Sequence, residues 1–436
     1  MSNGPASRTI NPSEAGSRCY EAIRSCRLCD GGALIEALDL GTQSLTGVFP
    51  RRDEGDPPAG PLRLLRCEDC GLVQLAHNYD LTLLYGNDYG YRSGLNKGMV
   101  RHLAKRVQDI EARVDLRSGD TVLDIGSNDG TLLSQYAPGS FQRVGIDPTA
   151  RKFRQYYPAD VTLVEDFFSG DVFRSVSTGP AKAITSISMF YDLEHPLSFV
   201  EQISEVLHAQ GIWVFEQSYL PAMLESNAYD TICHEHLEYY GLSQILHILR
   251  QEGLKIVELE FNDVNGGSFC VTAAKHMAPY PEAREAIEEA LEREEKYRLR
   301  TNDPFERLSA TMERNSDTLR RLLTRLRDAG KSVRGYGAST KGNVLLQYCG
   351  IDRQLLPEIV EVNEDKFGCV TPGTRIPIVA ENAAVREQTD FFLVLPWHFR
   401  HGIIGKESSF LAQGGGLIFP LPEVEIVTAT GVQSIA

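Results

Sequence analysis

The stretch Asp120 to Gly130, DTVLDIGSNDG, decides the fold: an apolar strand runs directly into a glycine turn, and TLLSQYA behind it opens a helix. Gly126 and Gly130 lie where strand becomes helix. Missing side chains there leave room for close approach of a ligand to backbone N–H groups. The next strand, RVGIDPT, ends in Asp147, placed to accept from ribose hydroxyls. The turn lacks the GxGxxG spacing that suits a pyrophosphate and carries Asp129, so a cationic, amino-acid-bearing nucleoside fits better. S-adenosylmethionine (SAM) answers that description; NAD, and an α/β core without cofactor, are the alternatives. Asp124, Ser127 and Asn128 belong to the same turn. Asp166 and Phe167, ending the third strand, are expected to meet the adenine, and Met189 and Phe190 to line the transfer site.

Outward from this unit, strands and helices alternate: VTLVEDFF, AKAITSISMFYDLEH and GIWVFEQSYL supply strand ends, followed by the helix SQILHILRQEG and a strand hairpin around VNGG. Parallel units closed by a hairpin predict an α/β, doubly wound sheet whose final strand runs antiparallel. Residues 281–330 are charged with helical apolar spacing and predict two connecting helices that need no ligand. A second alternating unit begins at KSVRGYGASTKGNVLLQYCGI. Its glycine turn contains Lys341 and reads as a local anion site or, more plainly, as a turn with a solvated lysine.

The 436 residues predict two or three domains at roughly 150 residues each. With 44 basic against 59 acidic residues, the net charge of -15 opposes general affinity for nucleic acid or anionic lipid. No apolar run of about 18 residues is present, so no membrane span is expected. The first residues lack a signal-peptide core, and a cytoplasmic address is expected. Nine cysteines in such a chain point to ligands or core thiols rather than disulfides. Cys26 and Cys29, with Cys67 and Cys70, form two CxxC knuckles, the pattern of a closed structural zinc site; four unrelated core cysteines are the alternative.

TICHEHLEYYGL, residues 231–242, follows a strand whose end carries Glu216, Gln217, Ser218 and Tyr219, on the ligand side of an open sheet. Its histidines could hold a metal with Asp192, Glu194 or His195, could transfer protons, or could simply start a helix. A neutral histidine takes a proton at physiological pH, and a neighbouring glutamate can support it.

The double CxxC, LDIGSNDG, SISMFYDL, FEQSY, HEHLEYY, NGGS and GYGASTKGN, in this order, resemble the three-domain SAM-dependent sugar C-methyltransferases over nearly the whole chain after residue 20. The resemblance implies a zinc-binding domain (20–80), a class I methyltransferase domain (81–280), a helical connector (281–330) and a C-terminal Rossmann-like substrate domain (331–436). It implies methylation of a carbon beside the ketone of a nucleotide-linked, typically dTDP-linked, deoxysugar for antibiotic or surface-glycan synthesis. Carried over by motif, Cys26, Cys29, Cys67 and Cys70 hold zinc; Gly126, Asp147 and Asp166 hold SAM. His236 is the general base, supported by Glu235 and His234. Tyr89 and Tyr91, for which simple packing is the alternative, approach the sugar and are candidates to stabilise an enolate, while Tyr336, Lys341 and Asn343, in the GYGASTKGN turn, help hold the diphosphate. Cys233 departs from the tyrosine common at that position, which bears on the substrate. O-methylation and a non-catalytic nucleotide-sugar or SAM-binding role are the rival functions; monomer and homodimer both stay open.

Overall fold

The computed structural model describes residues 19–85, 91–139, 141–177 and 179–435. Its central sheet has seven strands, ordered Leu254–Asn262, Ser268–Lys275, Leu207–Ser218, Ala181–Ile187, Thr121–Ile125, Gln142–Ile146, Val161–Val164. Ser268–Lys275 pairs antiparallel with both its neighbours and so opposes the other strands, which share one direction. This is the doubly wound sheet with an inverted strand that the alternation predicts. All five residues of Thr121–Ile125 are buried, because helices cover both faces. Leu123 and Ile125 pack with Phe199, Ile203 and Leu246 on one side; Val122 packs with Met99, Leu103 and Val107 on the other. Each such buried aliphatic side chain contributes about 1.5–3 kcal/mol. The helix Lys97–Arg113 starts where Asn96 Oδ1 accepts from the amides of Gly98 and Met99. Its apolar spacing then turns one stripe to the sheet.

The second α/β unit carries another seven-stranded sheet, ordered Ile378–Ala380, Ile359–Glu361, Val333–Tyr336, Phe391–Val394, Gly416–Phe419, Glu425–Thr428, Gly431–Ser434. The first five are parallel, and Glu425–Thr428 pairs antiparallel with both its neighbours. Both sheets reverse their strand order, at Thr121–Ile125/Ala181–Ile187 and at Val333–Tyr336/Phe391–Val394. Crevices for ligands open at the carboxyl ends of strands flanking such reversals.

The N-terminal sheet joins Leu34–Ser44, Ala59–Cys67 and Val73–Leu75 to a strand from far along the chain, Glu238–Tyr239. Glu238 opposes Gln74 and Tyr239 opposes Val73. The segment after HEH is therefore a sheet edge rather than a helix, and the helix begins only at Leu242. The expected pair of helices is present as Arg284–Tyr297 and Asp303–Asp328. The second is more than a connector. Phe305, Leu308, Met312, Leu319 and Leu323 enter one core with Leu64 and Leu75 of the N-terminal sheet, Ile232 and Leu237 of the HEH segment, and Val344 and Leu393 of the last unit. Among the described residues no helix is long and apolar enough to cross a membrane.

Candidate active site

A cavity of about 480 Å³ opens at the first strand-order reversal, walled by Gly126, Asn128, Asp147, Phe167, Ser188 and Met189 among others. Gly126 takes φ +70, and a Cβ there would stand 3.1 Å from Met189 Cγ; glycine keeps both the left-handed turn and the open space. Asn128 (φ +50) and Ser188 (φ +56) share that conformation without being glycine, strain of the kind that gathers at binding sites. Asp147 Oδ2 accepts from the Asn128 amide at 2.7 Å, and Oδ1 from the amide and hydroxyl of Thr149, each at 2.6 Å. Three of about four acceptor sites are filled. One remains, on a residue that lines the cavity. Deeper in the wall, Asp124 accepts from Thr185 Oγ1 at 2.6 Å, and burial pushes its carboxyl up to about 7. Volume, the side-chain-free approach at Gly126 and the remaining lone pair of Asp147 fit SAM.

Other expected contacts distribute differently. Asp129 does not face a ligand: its Oδ2 accepts from the Gly94 amide (2.9 Å) and Arg92 Nε (3.2 Å), and Asn128 Oδ1 accepts from the Ser93 amide. The acid thus fastens the glycine turn to the 91–94 segment rather than selecting a cation. Tyr91, 47% exposed, lines the cavity; Tyr89 lies outside the described residues. Phe167 is at the rim, whereas Asp166 caps the Phe167 amide (2.8 Å) and is absent from the lining. Phe190 turns into the aromatic core against Phe199, Trp213, Phe215 and Tyr240. The tight 3₁₀ turn Phe190–Asp192 rotates successive side chains far apart, so Met189 reaches the cavity and its neighbour does not.

The strand end 216–219, expected against substrate, does not line the cavity. Glu216 is buried, accepting from His102 Nε2 (2.6 Å) and Asn262 Nδ2 (2.9 Å). Gln217 is buried and Ser218 pairs with Ser268. Tyr219 packs against Phe261 and Phe269.

HEH divides into distinct roles. His234 is fully buried, edge-on to Tyr79, its Nδ1 3.4 Å from Thr46 Oγ1; burial lowers its pKa to about 4 and keeps it neutral. Glu235 is buried under the Thr46–Gly47 loop: a Cβ on Gly47 would stand 2.0 Å from its Oε1. Cys233 is buried beside it, its thiol pushed up by burial and by Glu235. His236 remains partly exposed. Its Nδ1 lies 2.7 Å from the Thr231 carbonyl, and a carbonyl only accepts, so the ring proton sits on Nδ1 and Nε2 carries the free lone pair. Burial and the Lys341 charge lower its pKa to about 3. Tyr191 packs against it with the ring planes tilted by 59° and centroids 4.4 Å apart, and the next residue, Asp192, reaches the cavity, accepting from Tyr85 at 2.9 Å. Burial and Glu235 push the Asp192 carboxyl well above its ordinary range.

In the second glycine turn, Ser339 Oγ caps the Gly342 amide and Glu361 Oε2 accepts from the Ala338 amide at 2.7 Å. A carboxylate thus occupies donors expected to meet a diphosphate. Tyr336 donates to Glu407 Oε1 (2.9 Å) and accepts from Lys406, within its own unit. Asn343 Nδ2 donates to the Thr46 carbonyl at 2.7 Å. Lys341 Nζ donates to the Asn265 carbonyl at 2.6 Å. Thr46, Gly47 and Glu361 escaped sequence reading, and Asn265 was read only as part of the VNGG turn. Of the first three, Glu361, at a strand end after a glycine turn, carried a recognisable signal.

The cysteines converge. Cys26 and Cys70 Sγ are 3.5 Å apart, Cys29 and Cys67 Sγ 3.6 Å, and all four sulfurs lie within 4.8 Å of one another. Tetrahedral zinc with Zn–S near 2.3 Å requires sulfur separations of about 3.8 Å, so the set fits the ion and leaves no position for substrate. Among the described residues no comparable cluster includes the HEH histidines. Arg27, inside the first knuckle, donates to the Leu75 carbonyl (2.8 Å) and to Asn78 Oδ1, and pairs with Glu238 at 3.7 Å. The metal site thereby grips the HEH strand. Purified protein is expected to carry about one zinc per chain, and Cys67→Ser to lose it together with thermal stability; metal analysis and calorimetry check both, and a metal-free wild type of equal stability contradicts the assignment.

Three family models cover the chain: "Putative zinc binding domain" over residues 26–85, "Methyltransferase domain" over 95–259 and "C-methyltransferase C-terminal domain" over 263–422. C-methyltransferase NovU of Streptomyces niveus is 30% identical over 411 residues, spanning 93% of this chain and 97% of its own length. Among solved structures, the SAM-bound magnesium protoporphyrin IX methyltransferase of Synechocystis PCC 6803 is 14% identical over 45% of this chain and 89% of its own, with a TM-score of 0.32. A SAM-dependent methyltransferase of Clostridium acetobutylicum is 11% identical over 40% and 92%, with a TM-score of 0.31. By the tiling of the three models and the end-to-end match to NovU, the chain belongs to the zinc-binding, SAM-dependent C-methyltransferases.

Proposed function

We propose that the enzyme methylates the carbon beside the ketone of a nucleotide-linked deoxysugar, with His236 as general base. The observation that carries this reading is the Nδ1 contact of His236 with the Thr231 carbonyl, which presents Nε2 as a proton acceptor on a partly exposed edge. Methylation at carbon needs such a group, because a C–H bond beside a carbonyl must lose its proton before carbon becomes nucleophilic. Bound SAM supplies an electrophilic methyl group.

This chain's residues supply the rest. Asp147 and the Gly126 turn hold the nucleoside, and Met189 flanks the cavity where the methyl is presented. Tyr91 stands on the same wall, placed for the sugar. Glu235 and His234, next to it in the chain, are held by the Thr46–Gly47 loop, and the ring of His236 is oriented by the Thr231 carbonyl. The nucleotide is assigned to the crevice at the carboxyl ends of the strands flanking the reversal of the second α/β unit, its diphosphate clear of the 337–342 turn, whose amides are already bonded. The sugar itself rests on the motif resemblance, and Cys233, in place of the common tyrosine, distinguishes this substrate.

Incubation with SAM and a panel of nucleotide-linked keto sugars, read by mass, is expected to show the gain of one methyl; no gain with any keto sugar sinks the substrate class. His236→Ala is expected to lower kcat by about 10²- to 10⁴-fold while binding SAM as wild type does; near wild-type turnover would remove the base assignment. Gly47→Ala, whose methyl displaces Glu235, should lower kcat/KM by about tenfold, or ~1.4 kcal/mol, with SAM affinity unchanged, as calorimetry and steady-state kinetics can check.

The pH dependence has a defined sign. The lowered pKa of about 3 keeps folded His236 neutral, and active, well below its ordinary 6.5. The acid limb of kcat/KM should therefore lie below pH 6.5. Unfolded His236 binds a proton between about pH 6.5 and 3 that the folded state does not, so its share of stability falls as pH drops through that window.

A further inference from the structure

We propose that Lys341 is a catalytic residue for the carbon-acid step: its ammonium holds the ketone oxygen while negative charge develops there. The inference rests on the reading of His236 as base and deepens it.

Lys341 opens the helix Thr340–Tyr348 of the second α/β unit but reaches out of that unit. Its Nζ donates to the Asn265 carbonyl at 2.6 Å, in the VNGG turn of the methyltransferase core. Asn265 holds φ +55 and donates through Nδ2 to Ser188 Oγ at 3.1 Å; Ser188, at φ +56, is part of the cavity wall. Two hydrogen bonds therefore tether the ammonium to the wall of the cofactor cavity. The base is held from the same place, since Thr231, whose carbonyl fixes His236, follows Asp230, toward which Lys341 is attracted. Asp230 itself accepts from Trp397 Nε1 at 2.7 Å, and His398 beside that tryptophan also feels the lysine's charge. Neither His236 nor Lys341 lines the cavity itself; Lys341 is linked to its wall through Asn265 and Ser188, and the lysine's charge reaches His236.

The lysine is half-buried and, among the described residues, no carboxylate lies within 4.0 Å of its Nζ; Asp230 attracts it from farther off. Taking an ammonium even partly out of water without a directly bonded counter-ion is costly. An ammonium has three N–H donors, and the structure uses one on a neutral carbonyl. A cation beside a base also weakens that base, so its placement makes chemical sense where an anion forms next to it. A diphosphate is the poorer fit: the Gly337, Ala338 and Gly342 amides already donate to Val360 O, Glu361 Oε2 and Ser339 Oγ, and the Glu361 carboxylate repels an anion there.

In the step, the C–H bond beside the ketone breaks and its proton passes to His236 Nε2. The C–H electron pair becomes the C=C bond, and the carbonyl π pair moves onto oxygen, where a Lys341 N–H meets it. As that pair returns to re-form C=O, the carbon pair forms the new C–C bond to the SAM methyl, and the C–S pair leaves with sulfur as S-adenosylhomocysteine. The lysine keeps its proton throughout. Preorganised donors at a developing oxyanion are among the strongest contributions to catalysis.

The test uses the full-length protein and the keto sugar that wild type methylates. Lys341→Gln retains a donor for the Asn265 carbonyl but lacks the charge; Lys341→Met lacks both. SAM affinity by calorimetry shows that each variant is folded. Solvent deuterium exchange into the substrate without SAM, read by mass, isolates the carbon-acid step. Expected are losses of about 10²- to 10³-fold in both exchange and kcat, KM changed by less than about threefold, and an acid limb shifted up toward pH 6.5 as His236 escapes the lysine's field. Exchange within about threefold of wild type in a SAM-binding variant overturns the proposal, as does a loss confined to KM, which would make Lys341 a diphosphate anchor. If neither variant binds SAM, Lys341→Arg decides instead: retained charge should preserve exchange to within about tenfold, and its abolition in a SAM-binding Arg variant overturns the proposal. Failure of the base reading shows separately, as exchange that survives His236→Ala.

Discussion

Leu237 is hydrogen-bonded on both sides: its carbonyl accepts from the Leu75 amide of the zinc-bearing sheet and its amide donates to the carbonyl of Tyr191, the neighbour of the cavity residue Asp192, each at 2.8 Å. The site depends on this double attachment. One residue earlier stands His236; one residue later, Glu238 enters the N-terminal sheet. The Tyr240 carbonyl then accepts from Leu220, closing the segment onto the core. Buried backbone groups need such partners, so HEH is fixed by the edges of two folded units rather than by a helix of its own.

The zinc knuckles gain their purpose from the same arrangement. Arg27 sits between Cys26 and Cys29 and reaches the carbonyls and carboxylate of the HEH strand and its partner. Asn78, also bonded to Arg27, donates to Glu194 on the cavity wall at 3.1 Å. A metal some distance from the chemistry thereby orders groups that border it. The Thr46–Gly47 loop adds the third constraint, contacting His234, Glu235 and Asn343 together. Burial dominates the electrostatics that follow. It keeps His234 and His236 neutral and raises Asp192 and Glu235, so proton affinities at the junction are set by exclusion of water more than by ion pairing.

Legibility in the sequence followed the range of the interaction. Gly126 and Asp147 could be read because strand, turn and next strand are local, and a ligand-binding turn leaves its mark within about thirty residues. The paired CxxC motifs were readable because zinc demands thiolates at short spacing. Phe190 was misread since adjacency to Met189 says nothing of direction in a 3₁₀ turn, and Asp129 because its partner, Arg92, approaches from a segment with no period of its own. The carboxyl end of Leu207–Ser218 was correctly placed on the ligand side, yet Glu216, Gln217 and Tyr219 are buried by a hairpin and a helix that arrive later in the chain.

By itself, the sequence determined the two α/β units, the four-thiolate site, the cofactor turn and the residue types available for proton transfer, since periodicity, turn chemistry and metal-ligand spacing act over short separations. Only the tertiary structure decided that HEH is clamped between two sheets, that Gly47 presses on Glu235 and that Lys341 leaves its own turn to reach the core. Those contacts join residues dozens to hundreds of positions apart. They exist because one apolar core closes around the N-terminal sheet, the helix Asp303–Asp328 and the last α/β unit together, and only that closure brings the polar groups of all three to one place.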